Sequence, residues 1–230
     1  MIPRTEDVAV IIPVRNGEAT IARAVNSAVE AGAAEVLVYD DASTDGTRQI
    51  LENLCQSTPE LEFYSMLHNV RAGVNFARNF LIEMAYSDLI IPLDADDELR
   101  SIAPLVEAWQ PGTWVYGDYL EHCNGEVNKI KAAPPGSLPR KNITGITFLF
   151  HAADWKRVGG YDPDFAYAED YGLQCALVNG SVQAKQIDAI VYDRYLKSEG
   201  NERTILAGQH WQFYRTMAWR KYPLVFAGTG

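Results

Sequence analysis

Leu89-Ile-Ile-Pro-Leu-Asp-Ala-Asp-Asp97 is the stretch whose reading decides the fold. A short, unbroken apolar run reads as a strand buried on both faces, and such strands belong to parallel sheets covered by helices. The run leads straight into three acids. Ligands of open α/β sheets bind outside the carboxyl ends of the strands, so these acids stand where a ligand is expected. Alternate residues of an extended segment point the same way, which puts Asp94 and Asp96 on one side of Ala95. Two carboxylates held close repel each other unless a cation lies between them. Hard oxygen ligands suit Mg²⁺ or Mn²⁺. The competing reading is an acidic turn that caps the next helix through Asp97 or Ser101.

The residues upstream repeat one pattern. Val8 to Ile12 is a β-branched strand closed by Pro13. Ile21, Ala24, Val25, Ala28 and Val29 form one helical face, with Gly32 as its stop. Val36 to Tyr39 is the second strand. After the polar loop Asp40 to Gly46 comes a helix with Ile50, Leu51, Leu54 and Cys55 inward. Leu61 to Met66 reads as a third strand, and Val74 to Tyr86 as a helix with Ala77, Phe80, Leu81 and Met84 inward. This alternation predicts an α/β protein with a parallel, doubly wound sheet. Three polar clusters then share one edge of it: Pro13-Val14-Arg15-Asn16, Asp40-Asp41 and Asp94-Ala95-Asp96-Asp97.

The remainder is less regular. Trp114 to Leu120 and Val127 to Lys131 read as strands around an Asn124-Gly125 turn. Ala133 to Pro139 is a loop, and Phe148 to His151 a short strand. Asp154 to Val158 is a helical turn stopped by Gly159-Gly160. A helix is expected from Glu169-Asp170 to Asn179-Gly180, strands at Val182 to Ile187 and Ile190 to Arg194, and a helical tail over Thr204 to Tyr222. No linker is visible, so residues 1–97 and 98–230 are expected as two halves of one packed unit.

Composition narrows the function. A net charge of −10 repels phosphate backbones, which counts against nucleic acid as a partner. Cys55, Cys123 and Cys175 have neither zinc-ligand spacing nor a disulfide pattern. No apolar run approaches the roughly 20 residues needed to span a bilayer, and the first residues do not read as a secretory signal. The expectation is a cytoplasmic protein. Aromatic and basic residues in the tail, His210 to Tyr214 and Trp219 to Lys221, fit either packing on the core, a dimer contact or a membrane surface.

The other two clusters each carry a choice. Asp41 fits a ligand contact, accepting from a base N–H or a ribose hydroxyl. Ser43, Thr44 and Asp45 fit capping of the following helix. Arg15 fits stacking on a base or pairing with phosphate, and equally a structural bridge to Asp40 or Asp41.

Taken together, Val8-Ala-Val-Ile-Ile-Pro-Val-Arg-Asn16, Val36-Leu-Val-Tyr-Asp-Asp-Ala-Ser-Thr-Asp-Gly-Thr47, Ala77-Arg-Asn79 and Leu93-Asp-Ala-Asp-Asp97 closely resemble the family 2 glycosyltransferases of the GT-A fold. The resemblance implies a Rossmann-like, mostly parallel sheet and a nucleoside-diphosphate sugar donor, a UDP-sugar foremost. It implies inverting transfer to a sugar, lipid-linked or glycoconjugate acceptor. Asp96, with Asp94, would hold Mn²⁺ or Mg²⁺. Pro13, Val14, Arg15, Asn16, Asp41, Arg78, Asp94, Ala95 and Asp96 would line the donor pocket, although many relatives carry an aromatic where Arg15 stands. Val158-Gly-Gly-Tyr-Asp162 and Tyr167-Ala-Glu-Asp170 resemble the acceptor-side segment, which makes Asp170 the base with Glu169 beside it. Arg194 and Lys197 are candidate diphosphate contacts by position, and His151 fits either such a contact or a buried, satisfied histidine. The Gln-x-x-Arg-Trp motif of processive polymerases is not found, so transfer of a single residue is expected. The alternatives are a nucleotidyltransferase, disfavoured by the single glycine and single arginine after the first strand, and an inactive binding protein of the same fold.

Overall fold

In the computed structural model, which describes residues 7–65, 71–196 and 202–227, strand β1 (Val8–Val14) is the axis of a five-stranded sheet. It is followed by α1 (Ile21–Glu30), β2 (Glu35–Asp40), α2 (Thr47–Cys55), β3 (Leu61–Ser65), α3 (Val74–Met84) and β4 (Leu89–Pro92). The strands order as β3-β2-β1-β4, all parallel, so chain order reverses direction between β1 and β4. Such a switch point opens the crevice where ligands bind.

Both sheet faces are buried. Val8, Val10, Ile12 and Val14 point into one core with α1, and Ala9 and Ile11 into another with α3. This two-sided burial is why the strands read as unbroken apolar runs. Pro13, expected to close β1, instead sits inside it, paired in register with Tyr39. Ile11 accepts from Leu93 N–H on the β4 side, and two residues on Pro13 faces that same side. β4 has ended there, so the N–H that proline lacks has no ladder partner to lose.

The second half folds back on this sheet. Two short elements absent from the sequence reading come first, β5 (Glu98–Leu99) and α4 (Ala103–Ala108). Neither is long enough to show a period. Then come β6 (Thr113–Cys123) and β7 (Glu126–Ile130), a hairpin whose turn residues Asn124 and Gly125 both have positive φ, 53° and 81°. β8 (Phe150–His151) adds an antiparallel edge to β4, and α5 (Ala152–Val158) and α6 (Glu169–Asn179) follow.

The two strands expected around residues 182–194 are one, β9 (Gln183–Leu196). Its register against β6 shifts opposite Gly117, where a Cβ would lie 2.5 Å from the Ala189 carbonyl oxygen. The extra residues of β9 bulge there and hide its continuity. β9 pairs with β5 on its other edge, closing a four-stranded sheet β5-β9-β6-β7. α7 (Glu202–Lys221) and α8 (Pro223–Phe226) complete the described chain, and Tyr214, Ala218, Tyr222 and Val225 pack into the core. Among the described residues no helix is long and apolar enough to cross a membrane.

Candidate active site

The chain leaves β4 and turns at once. Asp97 N–H donates to the Asp94 carbonyl at 3.1 Å, so Asp94–Asp97 is a tight turn and not the extended segment expected. The turn gathers three carboxylates instead of two. One oxygen from each of Asp94, Asp96 and Asp97 lies within 4.8 Å of the others. Asp97 is 3% exposed and accepts from Tyr195 N–H at 2.9 Å. Burial pushes its carboxyl well above the usual range, and the Asp94 charge pushes it further. A hard divalent cation would remove that cost, so the donor set fits Mg²⁺ or Mn²⁺. Capping of the next helix is not what these acids do: the N-cap position of α4 is Ile102, and no side chain caps it.

Arg78 on α3 ties this turn to the second half. It is 1% exposed. Nη2 donates to Asp94 Oδ1 at 3.0 Å and Nη1 to Glu169 Oε1 at 2.9 Å. Its guanidinium lies 5.3 Å from the centroid of the Tyr161 ring. A side chain expected to line the donor pocket is thus buried between the acid turn and the Glu169-Asp170 pair.

Glu169 and Asp170 occupy the first turn of α6, where the helix dipole favours acids. Asp170 is partly buried. Its oxygens accept from Asn142 Nδ2 at 2.6 Å and Tyr171 N–H at 2.9 Å. Asn142 Oδ1 accepts from Gln174, Thr144 and Gly145, which fixes the amide's orientation. Removal from water raises the Asp170 carboxyl to about 6, with Glu169 adding to the rise and Arg78 opposing it. The Gly160-Tyr161 segment before α6 is clamped by Asn79. Its Oδ1 accepts from Tyr161 N–H at 2.8 Å and Trp155 Nε1 at 3.1 Å, and its Nδ2 donates to the Tyr161 carbonyl.

The other two clusters meet on the far side of β1. Asn16, with φ 52°, receives Thr44 N–H on Oδ1 at 2.8 Å and donates its own N–H to Ser43 Oγ. Gly17 N–H reaches Thr47 Oγ1, and Glu18 Oε2 accepts from Gly46 N–H. Asp45 Oδ1 accepts from Thr47 N–H at the start of α2, the capping role expected of it. Asp41 is 6% exposed and accepts from Ala72 N–H at 2.6 Å and Gly73 N–H at 3.1 Å, joining its loop to the start of α3. The Val14 side chain is buried in the core, while Pro13 and Ala95 are half-buried. Arg15 is exposed, and among the described residues it pairs with neither Asp40 nor Asp41.

Of the three expected diphosphate contacts, one reaches the site. Arg194 lies on β9 beside the acid turn, where its charge acts on Asp97, and pairs with Glu121 at 3.6 Å. His151 does not. It pairs in register with Leu89, at the entry of β4, five residues and about 16 Å of strand before Asp94. There its Nδ1 accepts from Ala153 N–H at 3.0 Å and caps α5, and its ring stacks on Trp109. Lys197 lies outside the described residues. Reading the sequence gives Asp97 a capping role and does not group it with Asp94 and Asp96, and it does not find Asn142. A cleft of about 580 Å³ beside Leu138, Val178, Val182 and Val225 lies at the opposite end of α6 from Glu169 and has no converging charges.

A parallel sheet with an acid turn at its switch point, closed by an antiparallel strand and a second small sheet, defines a GT-A type architecture. Residues 9–164 match the model of glycosyl transferase family 2, and the chain belongs to that family. Its fold is similar to that of the mannosyltransferase PcManGT from Pyrobaculum calidifontis, solved in complex with GDP-Man and Mn²⁺. The TM-score is 0.70 at 19% identity, over 95% of this chain and 68% of that one. It is also similar to S. aureus TarS 1-349 in complex with UDP, with a TM-score of 0.68 at 20% identity, over 93% of this chain and 74% of that one. In sequence it is 44% identical over 92 residues to the succinoglycan biosynthesis protein ExoU of Rhizobium meliloti, covering 40% of this chain and 26% of that protein. It is 26% identical over 210 residues to the chondroitin synthase of Escherichia coli, covering 86% of this chain and 30% of that protein. The chain therefore spans less than a third of the length of these two curated relatives.

Proposed function

We propose that the protein transfers a sugar from a nucleoside-diphosphate sugar to an acceptor hydroxyl, with inversion at the anomeric carbon. Arg78 carries the reading: one buried guanidinium bonds both Asp94 and Glu169, so the acid turn and the Glu169-Asp170 pair are brought to one place. Asp94, Asp96 and Asp97 would hold a divalent cation, which supplies positive charge to the departing diphosphate. Arg194 adds a second positive charge beside them. Asp41, Asn16 and Arg15 border the nucleoside, with Arg15 exposed and free of ion pairs to its neighbouring acids.

Asp170 is the base. A carboxyl raised to about 6 is ionised at neutral pH yet more basic than an ordinary aspartate, the range in which general bases work well. It takes the acceptor hydroxyl proton as that oxygen bonds to the anomeric carbon. The bond from that carbon to the diphosphate breaks on the opposite face, and the nucleoside diphosphate leaves with the electron pair. Asn142 and the Tyr171 amide hold the carboxylate in place, and Arg78 pairs with Glu169 beside it. A UDP-sugar is the first donor to try and a GDP-sugar the second, because similar folds are solved with UDP and with GDP-Man.

The test is release of nucleoside diphosphate from a panel of nucleotide sugars with Mn²⁺, with and without EDTA. Release from one donor, lost with EDTA and in Asp96→Asn, supports the reading. The anomeric configuration of the product, read by NMR, decides inversion. Release that is indifferent to both EDTA and Asp96→Asn would overturn the metal role.

A further inference from the structure

The acid turn is held from behind by side chains that the proposed chemistry does not use. Arg23 on α1 donates from Nη2 to the Asp96 carbonyl at 2.7 Å, and its Nε lies 3.0 Å from Glu98. Its guanidinium also sits 3.9 Å from the centroid of the Tyr195 ring. That ring stacks on His122, with centroids 4.4 Å apart and planes 17° from parallel. His122 Nε2 lies 2.6 Å from Asp193 Oδ1, and Arg100 bonds the same carboxylate, which is 5% exposed. The Tyr195 N–H is the group that bonds Asp97 Oδ1. Segments from α1, β6, β9 and the residues around β5 thus converge on the back of a four-residue turn.

Resting on the metal reading given above, we infer that Arg23 and Tyr195 are positioning residues for cation and diphosphate binding at this turn. Arg23 fixes the backbone at Asp96. The Tyr195 ring, in contact with both Arg23 and His122, fixes the amide that aims the Asp97 carboxylate. Arg100 and Asp193 hold His122 in turn. Three carboxylates crowded together repel, and the turn opens unless its backbone is tied. Groups that orient metal ligands without touching the metal typically change affinity about 10- to 100-fold when removed. Arg23 is paired with Glu98, so its net charge at the turn is small. Its contribution is the fork geometry that reaches Glu98, the Asp96 carbonyl and the Tyr195 face together. Lysine keeps the charge and lacks the fork, so lysine does not replace it.

The experiment measures Mn²⁺ affinity from the free-ion EPR signal, with and without UDP, on variants shown to be folded by thermal melting. Arg23→Lys and Tyr195→Leu are expected to weaken Mn²⁺ binding on the order of tenfold or more. Tyr195→Phe keeps the ring and loses only the hydroxyl's bond to Glu98, so it is expected to weaken Mn²⁺ binding less than Tyr195→Leu. If Tyr195→Leu does not fold, His122→Leu removes the same stacking contact from the other side. Wild-type affinity in Arg23→Lys and in the leucine variant overturns the inference, as does a Tyr195→Phe variant as weak as Tyr195→Leu. Asp96→Asn separates this failure from a deeper one. A wild type that binds Mn²⁺ no better than Asp96→Asn, with or without UDP, overturns the metal reading itself.

Discussion

The first and second halves of the chain meet at Arg78 by opposite routes. In the first stretch the acids stand at the ends of regular parallel strands, with Arg78 reaching them from α3. In the second they stand on an irregular chain, and each is placed by partners far away in sequence: Asp170 by Asn142, Tyr161 by Asn79, Glu169 by Arg78. The first half is a scaffold that presents a site. The second half is held by polar contacts, several of them to the first half, and it is the part expected to respond most to single substitutions.

The largest effect is expected at Asp170. Asp170→Asn removes the proposed base and should lower kcat by about 10³-fold, while Mn²⁺-dependent UDP binding stays close to that of the wild type. An unchanged kcat would break the assignment. The same residue predicts the pH profile. Its carboxyl is raised to about 6, so the base form is lost as pH falls through that value, and kcat/KM should drop about tenfold per pH unit below it. The stability effect has the opposite sense. A carboxyl whose folded value is raised costs stability once ionised, in full above about pH 6 and not at all below its unfolded value near 4. Asp170→Asn should therefore stabilise the fold at pH 7.5 by about 1–2 kcal/mol at most, read as a higher Tm, and the gain should vanish toward pH 4.

Arg78→Met comes next. It strips a shared partner from Asp94 and Glu169, and removing one member of a buried ion pair costs about 3 kcal/mol. Denaturant unfolding should show that loss together with a rise in donor KM and a fall in kcat. A loss confined to one kinetic constant would mean that the two halves are less coupled than the geometry implies. Gly160→Ala is expected to be milder. The residue has φ 76°, and a Cβ would lie 2.9 Å from both Asn79 Oδ1 and Trp155 Nε1. A cost of about 1–3 kcal/mol in stability should appear, with Tyr161 displaced. The smallest effect belongs to His151→Ala. Losing a helix cap costs about 1 kcal/mol, and kcat and donor KM should not move.

The difference between the halves also explains what could be read from sequence. Strand, helix and acid turn of the first half show in the spacing of apolar residues, because there one local period determines burial on both sheet faces. Asp94, Asp96, Glu169 and Asp170 were legible as acids at element boundaries. Asp97 was misread because the extended pattern sends it to the other side of Asp96, whereas the Asp97–Asp94 backbone bond folds it back. His151 was misplaced because nothing in Phe148 to His151 reveals that the strand runs antiparallel to β4 and so ends at the wrong edge. β9 looked like two strands because its bulge interrupts the alternation. The bonds from Arg23 and Tyr195 to the acid turn have no local signature at all.

Arg78 lends a single positive charge to two carboxylates that belong to different steps of the proposed reaction. Any cation that neutralises Asp94 leaves more of that charge to Glu169. Coupling of this kind is reciprocal: whatever filling the acid turn does to the free energy at Glu169, a change of charge at Glu169 does in equal measure to the acid turn. The acid turn and Glu169 are thereby joined through one side chain, and what happens to the charge at either end is felt at the other.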